Sequence, residues 1–353
     1  MKTHKPALIF FTFLLIAIVS PVKAAGEKSG GHEGEEFNAS HFILEHIADS
    51  HEWHIATRKN GEHITIYLPV ILYSREKGIT AFSSKKISHG HVHNGYMLCA
   101  EGDLAGKIVS VDEAGHINEE SLPLDFSITK AIAAMFFAAL IGLLLFLSLS
   151  RSYKKTGISH PRGIQGFLEP IILFVRDDIA IPNIGHHKYM KFMPYLLSVF
   201  FFILINNIMG LIPFPPPFGA NVTGNIGVTM TLALFTFVII QVNGTKTYWR
   251  HIFATPGVPF WLLPIMIPVE FIGMIAKPFA LMVRLFANIT AGHIIVLSLV
   301  AIIFIFKSMA VAPVSILFVI FMNCLELLVA FLQAYVFTLL SALFISLAVE
   351  EHH

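Results

Sequence analysis

Two apolar segments near the end of the chain, Leu262 to Phe306 and Met309 to Val349, each run for about forty residues without a polar turn in the middle. An α-helix of that length extends roughly 60 Å, twice the roughly 30 Å hydrocarbon core of a bilayer. To fit inside a membrane, each must tilt by about 60°, far beyond the usual value near 20°. Breaking each into two upright spans would require a polar turn that neither segment supplies. Joined at Lys307-Ser308, with Pro313 just beyond, they are expected to form a steeply tilted helical hairpin.

The hairpin is not purely apolar. Arg284 lies in mid-segment, too far from either end to snorkel easily, and an intramembrane arginine costs from roughly 3 to more than 10 kcal/mol. Such a residue is by default a functional hypothesis. Glu270, Lys277 and Arg284 are spaced by seven and share one helix stripe, which Asn288 continues one turn further. On the second segment Glu326 and Gln333 are also seven apart. In an antiparallel pair, contacting positions have nearly constant index sums. Arg284 with Gln333 gives 617 and His293 with Glu326 gives 619, both centred near residue 309, where the turn independently falls. Nine residues separate Arg284 from His293, half a turn out of register, so the two pairs serve different faces or need curved helices.

Composition agrees with the hairpin. The chain is 55% hydrophobic and 13% charged, with a net charge of +1, which marks a polytopic membrane protein and excludes a soluble enzyme. With no basic stripe, nucleic acid is not an expected partner. Two cysteines, Cys99 in the polar region and Cys324 in an apolar one, give no disulfide framework.

Residues 1–24 carry Lys2 and Lys5 before an apolar core from Ala7 to Val19 and the small-residue site Val22-Lys23-Ala24. This is the pattern of a secretory signal peptide, with cleavage expected after Ala24 or Ala25. Residues 25–127 turn polar and His-rich, with no run long enough to span, and read as a small mixed exported domain. It opens glycine- and charge-rich over Gly26 to Glu36. A short helix is expected from Phe42 to Ile47, a Pro-interrupted strand from Ile64 to Tyr73, and a second strand near Lys107 to Val111. His46, His51 and His54 could loosely share a helix face, and His89, His91 and His93 alternate as on one side of a strand. Neither set comes with a Cys or carboxylate at a recognised ligand spacing, so surface histidines, no metal and no cofactor are expected.

Residues 128–353 then form an all-α membrane domain. Three upright spans are expected, Ala131 to Leu149, Met193 to Ile212 and Gly227 to Val242. Arg151, Lys154 and Lys155 follow the first span and mark the cytoplasmic side. Gly163 to Val175, apolar at Ile164, Phe167, Leu168, Ile171 and Ile172, suits an interfacial helix, and Arg176, Lys188 and Lys191 keep this region cytoplasmic. The linker from Pro213 to Asn225 has no Lys or Arg and belongs outside. Asn206 and Asn207 are mid-span amides suited either to bonding between helices or to hydrating a channel.

The run Lys277-Pro278-Phe279-Ala280-Leu281-Met282-Val283-Arg284-Leu285-Phe286-Ala287-Asn288 with Ala291-Gly292, followed by Leu332-Gln333-Ala334-Tyr335-Val336-Phe337, closely resembles the a subunits of F-type ATP synthases. The resemblance covers about residues 128–350. It implies a stator subunit of the membrane sector, not catalytic on its own, in a bacterial inner membrane with its C-terminus cytoplasmic. The implied partners are the c-ring, the b subunits of the peripheral stalk, the F1 sector indirectly, and the lipid bilayer. Arg284 would be the essential stator arginine, with Asn288 and Gln333 its polar neighbours. His293 and Glu326 match two positions that hold a Glu and a His in the opposite order in many bacterial members. The resemblance implies two half-channels, one using His293 and Glu326 with Asn206, the other marked by Glu270. Which of His293 and Glu326 takes the proton first stays open, as does the coupling ion. Lys277 reads as a partner of Glu270 or as a transport residue. A self-contained channel or transporter with a Glu-Lys-Arg track is the alternative, though the chain lacks the internal repeat common in transporters; a plain membrane anchor would not need seven-spaced charges.

Overall fold

In a computed structural model, the described residues are 43, 48–57, 63–75, 77–99, 104, 106–112, 117, 122–156, 163–212, 216–253, 259, 261–306 and 311–350. The chain divides into two compact units, the first comprising residues 1–136 and 212–220, the second residues 137–211 and 221–353. The expected signal segment and the turn at Lys307-Ser308 lie outside the described residues, as does nearly all of the helix expected over 42–47.

The first unit is built from short antiparallel strands: β1 (Glu52–Thr57), β2 (His63–Tyr67), β3 (Pro69–Ser74), β4 (Gly78–Ser83), β5 (Tyr96–Leu98), β6 (Ile108–Ser110) and β7 (Leu124–Asp125). They pair as β1-β2, β4-β3-β7 and β5-β6. The period-two pattern explains β3, where Val70 and Leu72 point inward and pack with Phe82, Ile87, Tyr96 and Ile108. Pro69 divides the expected strand from Ile64 to Tyr73 into β2 and β3, as a residue without an N–H does when it opens a strand.

Both histidine readings are corrected here. His54 lies in β1, which pairs with β2 from Glu52 to Thr57, so it shares no helix face with His51. Ser88–Gly90 is a 3-10 turn and not a strand, because Gly90 takes a positive φ of 77° that breaks the extended backbone. Among the described residues no three His, Cys, Asp or Glu converge to hold a metal ion.

What His51 does instead is structural. It is buried, and its Nε2 donates to Asp125 Oδ2 at 3.2 Å. Asp125 Oδ1 accepts from Ser127 N at 2.8 Å, and Ser127 Oγ accepts from Ile71 N at 3.0 Å. Next to this network begins α1 (Lys130–Thr156). The first N–H groups of a helix have no partner within it, and here residues about eighty positions upstream supply them. Lys130 N donates to Ser50 O at 2.9 Å and Ala131 N to Asp49 Oδ1 at 3.1 Å. Asp49 Oδ2 accepts from Thr129 Oγ1 at 2.7 Å, and Thr129 Oγ1 in turn accepts from Ile132 N at 3.4 Å.

The second unit is helical. After α1 come α2 (Ile164–Phe174), a π-helical turn (Val175–Ala180), α3 (Ile181–Ile184), α4 (Tyr189–Leu211), α5 (Ile226–Asn243), α6 (Lys246–Phe253), α7 (Leu263–Phe306) and α8 (Ala312–Val349). Five of these, α1, α4, α5, α7 and α8, are long and apolar enough to cross a membrane, and the chain is a multi-pass, mostly helical membrane protein. Both segments of the expected hairpin are single unbroken helices of 44 and 38 residues, despite Pro268 and Pro278 inside α7.

Helix α4 is the most buried of the five spans. Leu196, Phe200 and Ile203 are fully buried, packed with Ala334, Phe337, Ala342 and Ile345 of α8. Small residues along α8, among them Ala330, Ala334, Ser341 and Ala342, allow this close approach. At the far end, Lys188 Nζ donates to Val349 O at 2.8 Å, which satisfies a terminal carbonyl of α8. On α2 only Leu168 of the five apolar positions is buried, while Ile164 and Phe167 are exposed.

The His51 network sets an acid limit for the first unit. Burial by itself would raise the Asp125 carboxyl, but the His51 and Ser127 hydrogen bonds outweigh it and hold the pKa below the ordinary 3.8. The network's contribution is therefore complete above that value and disappears as pH falls through the lowered pKa. Asp125→Asn should remove this acid-limb dependence, read by hydrogen exchange of residues 70–73 between about pH 2 and 5. Asp49→Ala should cost about 1 kcal/mol at the start of α1, seen as faster exchange at residues 130–133.

Candidate functional site

The hairpin places its polar residues through helix register. Gln333 is 2% exposed, and its Nε2 donates to the backbone carbonyl of Arg284 at 2.9 Å. About two turns along the contact, Glu326 Oε1 lies against Gly292: a Cβ built on that glycine would stand 2.6 Å from it. Further on, Ser315 Oγ donates to Leu299 O. The three contacts fall on the nearly constant index sum expected of an antiparallel pair, which agrees with the register derived for Arg284 with Gln333; Glu326 meets Gly292, one residue short of His293, and its Oε1 has no hydrogen-bond partner among the described residues.

The chemistry of each contact refines the expectation. Gln333 holds the backbone beneath Arg284 and not the guanidinium. Arg284 and Asn288 are both exposed, and among the described residues no hydrogen bond or ion pair engages the guanidinium. A permanent cation thus faces out of an apolar helix whose backbone is pinned behind it. Glu326 meets Gly292, next to His293, where absence of a side chain is what admits the carboxylate. Glu326 Oε1 and Thr290 Oγ1 are buried without a hydrogen-bond partner. Orphaned buried polar atoms in a native structure call for water, an ion or a functional role.

The mid-span amides divide the two roles that the sequence left open. Asn207 bonds between elements: its Nδ2 donates to Ala330 O at 3.3 Å and its Oδ1 accepts from Thr223 Oγ1 at 2.6 Å. Asn206 donates only to Phe202 O of its own helix, at 2.8 Å, and its buried Oδ1 has no partner. Glu270, Lys277 and Arg284 do share one stripe of the continuous α7, but Lys277 Nζ stands over the Phe344 ring at 5.7 Å from its centroid. The partner of Glu270 is His251 of α6, whose Nδ1 is 4.0 Å from Glu270 Oε1. Sequence reasoning missed this histidine, although the strongly amphipathic Lys246–Phe253 segment that carries it was visible in the chain. It also missed Thr290, whose neighbours Asn288 and Gly292 drew the eye instead.

The sequence of the chain matches known proteins. A family model described as ATP synthase A chain matches residues 132–346. The chain belongs to the ATP synthase A chain family. Among its curated relatives in that family, ATP synthase subunit a of Chloroherpeton thalassium is 49% identical over 236 residues, 65% of this chain and 69% of that protein. The Myxococcus xanthus protein of the same name is 49% identical over 238 residues, 65% of this chain and 76% of the other. An ATP synthase subunit a of Chlorobium phaeobacteroides is 40% identical over 329 residues, covering 82% of this chain and 93% of the relative. That share exceeds what residues 132–346 alone occupy, so part of the N-terminal region recurs in a relative of this family. Residues 42–126 separately match a domain of unknown function, DUF8433.

Gly292→Ala should force the Glu326 carboxylate aside and cost roughly 1–3 kcal/mol in overpacking, measured as a lower thermal midpoint in detergent. The shorter Glu326→Asp should recover part of that loss in the double variant. Asn207→Ala should destabilise by about 1–3 kcal/mol, since it leaves Thr223 and the Ala330 carbonyl without their partner, whereas Asn206→Ala should leave the midpoint nearly unchanged.

Proposed function

We propose that this chain is the proton-translocating stator subunit of an F-type ATP synthase, which offers a c-ring two half-channels separated by Arg284. The observation that carries this reading is the outward-facing guanidinium on a helix whose backbone is fixed by Gln333. A passing ring carboxylate would be its partner. An opposite charge lowers a carboxylate pKa by roughly one to three units, so the ring site gives up its proton on approach. A guanidinium does not deprotonate in proteins, so Arg284 cannot hand protons onward and keeps the two routes apart.

On the periplasmic route, Glu326 and His293 would exchange protons, with Asn206 and Asn288 supporting a hydrated path. The unpartnered oxygens of Glu326 and Asn206 favour water there. Glu270 would mark the cytoplasmic route. Arg284 and Glu270 are 14 residues apart on a continuous helix, hence separated by roughly 21 Å along its axis. Each proton that crosses releases about 2.3 kcal/mol per 100 mV of membrane potential, and the ring converts that release into rotation. The chain itself catalyses no covalent step.

The same reading sets topology. Residues 1–24 serve as a cleaved signal, 25–127 lie in the periplasm, and 128–353 form the membrane domain, with three upright spans, an interfacial α2 and the hairpin α7–α8 steeply tilted in a bacterial inner membrane. Lys and Arg after the first span and their lack between α4 and α5 support the C-terminus lying in the cytoplasm. The b subunits of the peripheral stalk and, through them, the F1 sector are the further partners.

Arg284→Ala should assemble normally and abolish proton-driven ATP synthesis in membrane vesicles. Persisting coupled synthesis would overturn the assignment. His293→Ala should slow proton flux and shift its pH dependence, and an unchanged profile would remove His293 from the route.

A further inference from the structure

The corner formed by α5, α6 and α7 collects polar groups that no step above uses. Gln241, near the end of α5, donates from Nε2 to Tyr248 Oη at 3.4 Å, and its own Oε1 is buried with no partner. Burial pushes the Tyr248 hydroxyl up and the Glu270 charge adds to it, against the opposing Gln241 hydrogen bond. His251 follows one turn later on α6, with Nδ1 at 4.0 Å from Glu270 Oε1. Exposure rises in order, from 31% for the Glu270 side chain to 56% for His251. Helix α6 keeps its register through the buried Ile252, so the imidazole is held at the boundary between α7 and water.

We infer that His251 is the outermost proton-transfer residue of the cytoplasmic route, exchanging protons between Glu270 and bulk water. The inference rests on the stator reading. During synthesis, the Glu270 carboxylic acid passes its proton to the neutral His251 Nδ1, which leaves a carboxylate and an imidazolium. The imidazolium then releases the Nε2 proton to water and becomes neutral again, so no charge accumulates, and proton exchange with water between the two ring nitrogens frees Nδ1 for the next transfer. A separation of 4.0 Å is longer than a hydrogen bond, and transfer proceeds through one bridging water or a small rotation of the exposed ring. Histidine suits this position because its unperturbed pKa, about 6.5, lets it both accept and release a proton at physiological pH. The titratable and charged groups on the elements around it are Lys246, Tyr248 and Arg250 of α6, Glu270, Lys277, Arg284 and His293 of α7, and Cys324, Glu326 and Tyr335 of α8 with Glu350 just beyond it.

The test uses the assembled complex in inverted vesicles stripped of F1, with passive proton flux measured against cytoplasmic-side pH. His251→Ala and His251→Gln should both lower the flux by roughly tenfold. This is below the ~10²–10⁴-fold typical of a positioned acid or base, because water at so exposed a position carries part of the flow. Both should alter the pH dependence of flux relative to the native protein, and added imidazole should restore flux to the alanine variant. The inference is overturned if both variants keep the native flux and profile. It is equally overturned if only alanine impairs flux and glutamine, which hydrogen-bonds but does not titrate, behaves as the native protein. Should the alanine variant not assemble, the glutamine variant decides alone. Coupled synthesis by Arg284→Ala would bring down the stator reading itself; with that variant inactive and His251 inert, only the relay is lost.

Discussion

A bilayer supplies no hydrogen-bonding partner to a backbone, and every spanning segment of this chain is organised by that deficit. In water a forty-residue helix can break wherever a loop is convenient. In hydrocarbon each exposed N–H or C=O costs several kcal/mol, so α7 and α8 remain unbroken over 44 and 38 residues. Continuity then fixes everything the helices carry. Because α7 does not break, Glu270, Lys277 and Arg284 keep their seven-residue phase, and because α8 does not break, Glu326 and Gln333 meet their counterparts in one antiparallel register.

The polar groups inside this frame fall into two kinds. Some are consumed by the fold: Asn207 is satisfied on both sides by Thr223 and Ala330, and the Gln333 amide is spent on the carbonyl of Arg284. Others are left open, namely the Arg284 guanidinium, the Asn206 carbonyl, the Thr290 hydroxyl and the Glu326 carboxylate. A protein that tolerates orphaned polar atoms in an apolar setting gives up stability at those points. In the proposed stator, these open groups are the ones that would carry charge.

Legibility in the sequence followed the range of the signal. The spans, the hairpin and its register could be read because apolar length and helical phase are regular over tens of residues. Arg284, Glu326 and Gln333 stood out because a charge or amide in such a run has no ordinary reason to be there. The first unit was harder. Its strands are short, four of the seven described ones going unnoticed, since two or three extended residues such as Leu124–Asp125 carry no period, and only distant pairing partners stabilise them. Alternating His89, His91 and His93 imitated a strand, but one positive-φ glycine between them was enough to turn the chain. The partnership of His251 with Glu270 joins two elements across an intervening connection and could not be inferred from spacing within either.

The start of α1 has a meaning for how the protein is made. A helix that draws its first hydrogen bonds from Ser50 and Asp49 cannot complete its own N-terminus until a segment about eighty residues earlier has folded around it. Completion of the first turn of α1 is thereby tied to the folding of the N-terminal unit: a chain in which that unit has not folded leaves the Lys130 and Ala131 N–H groups without these partners.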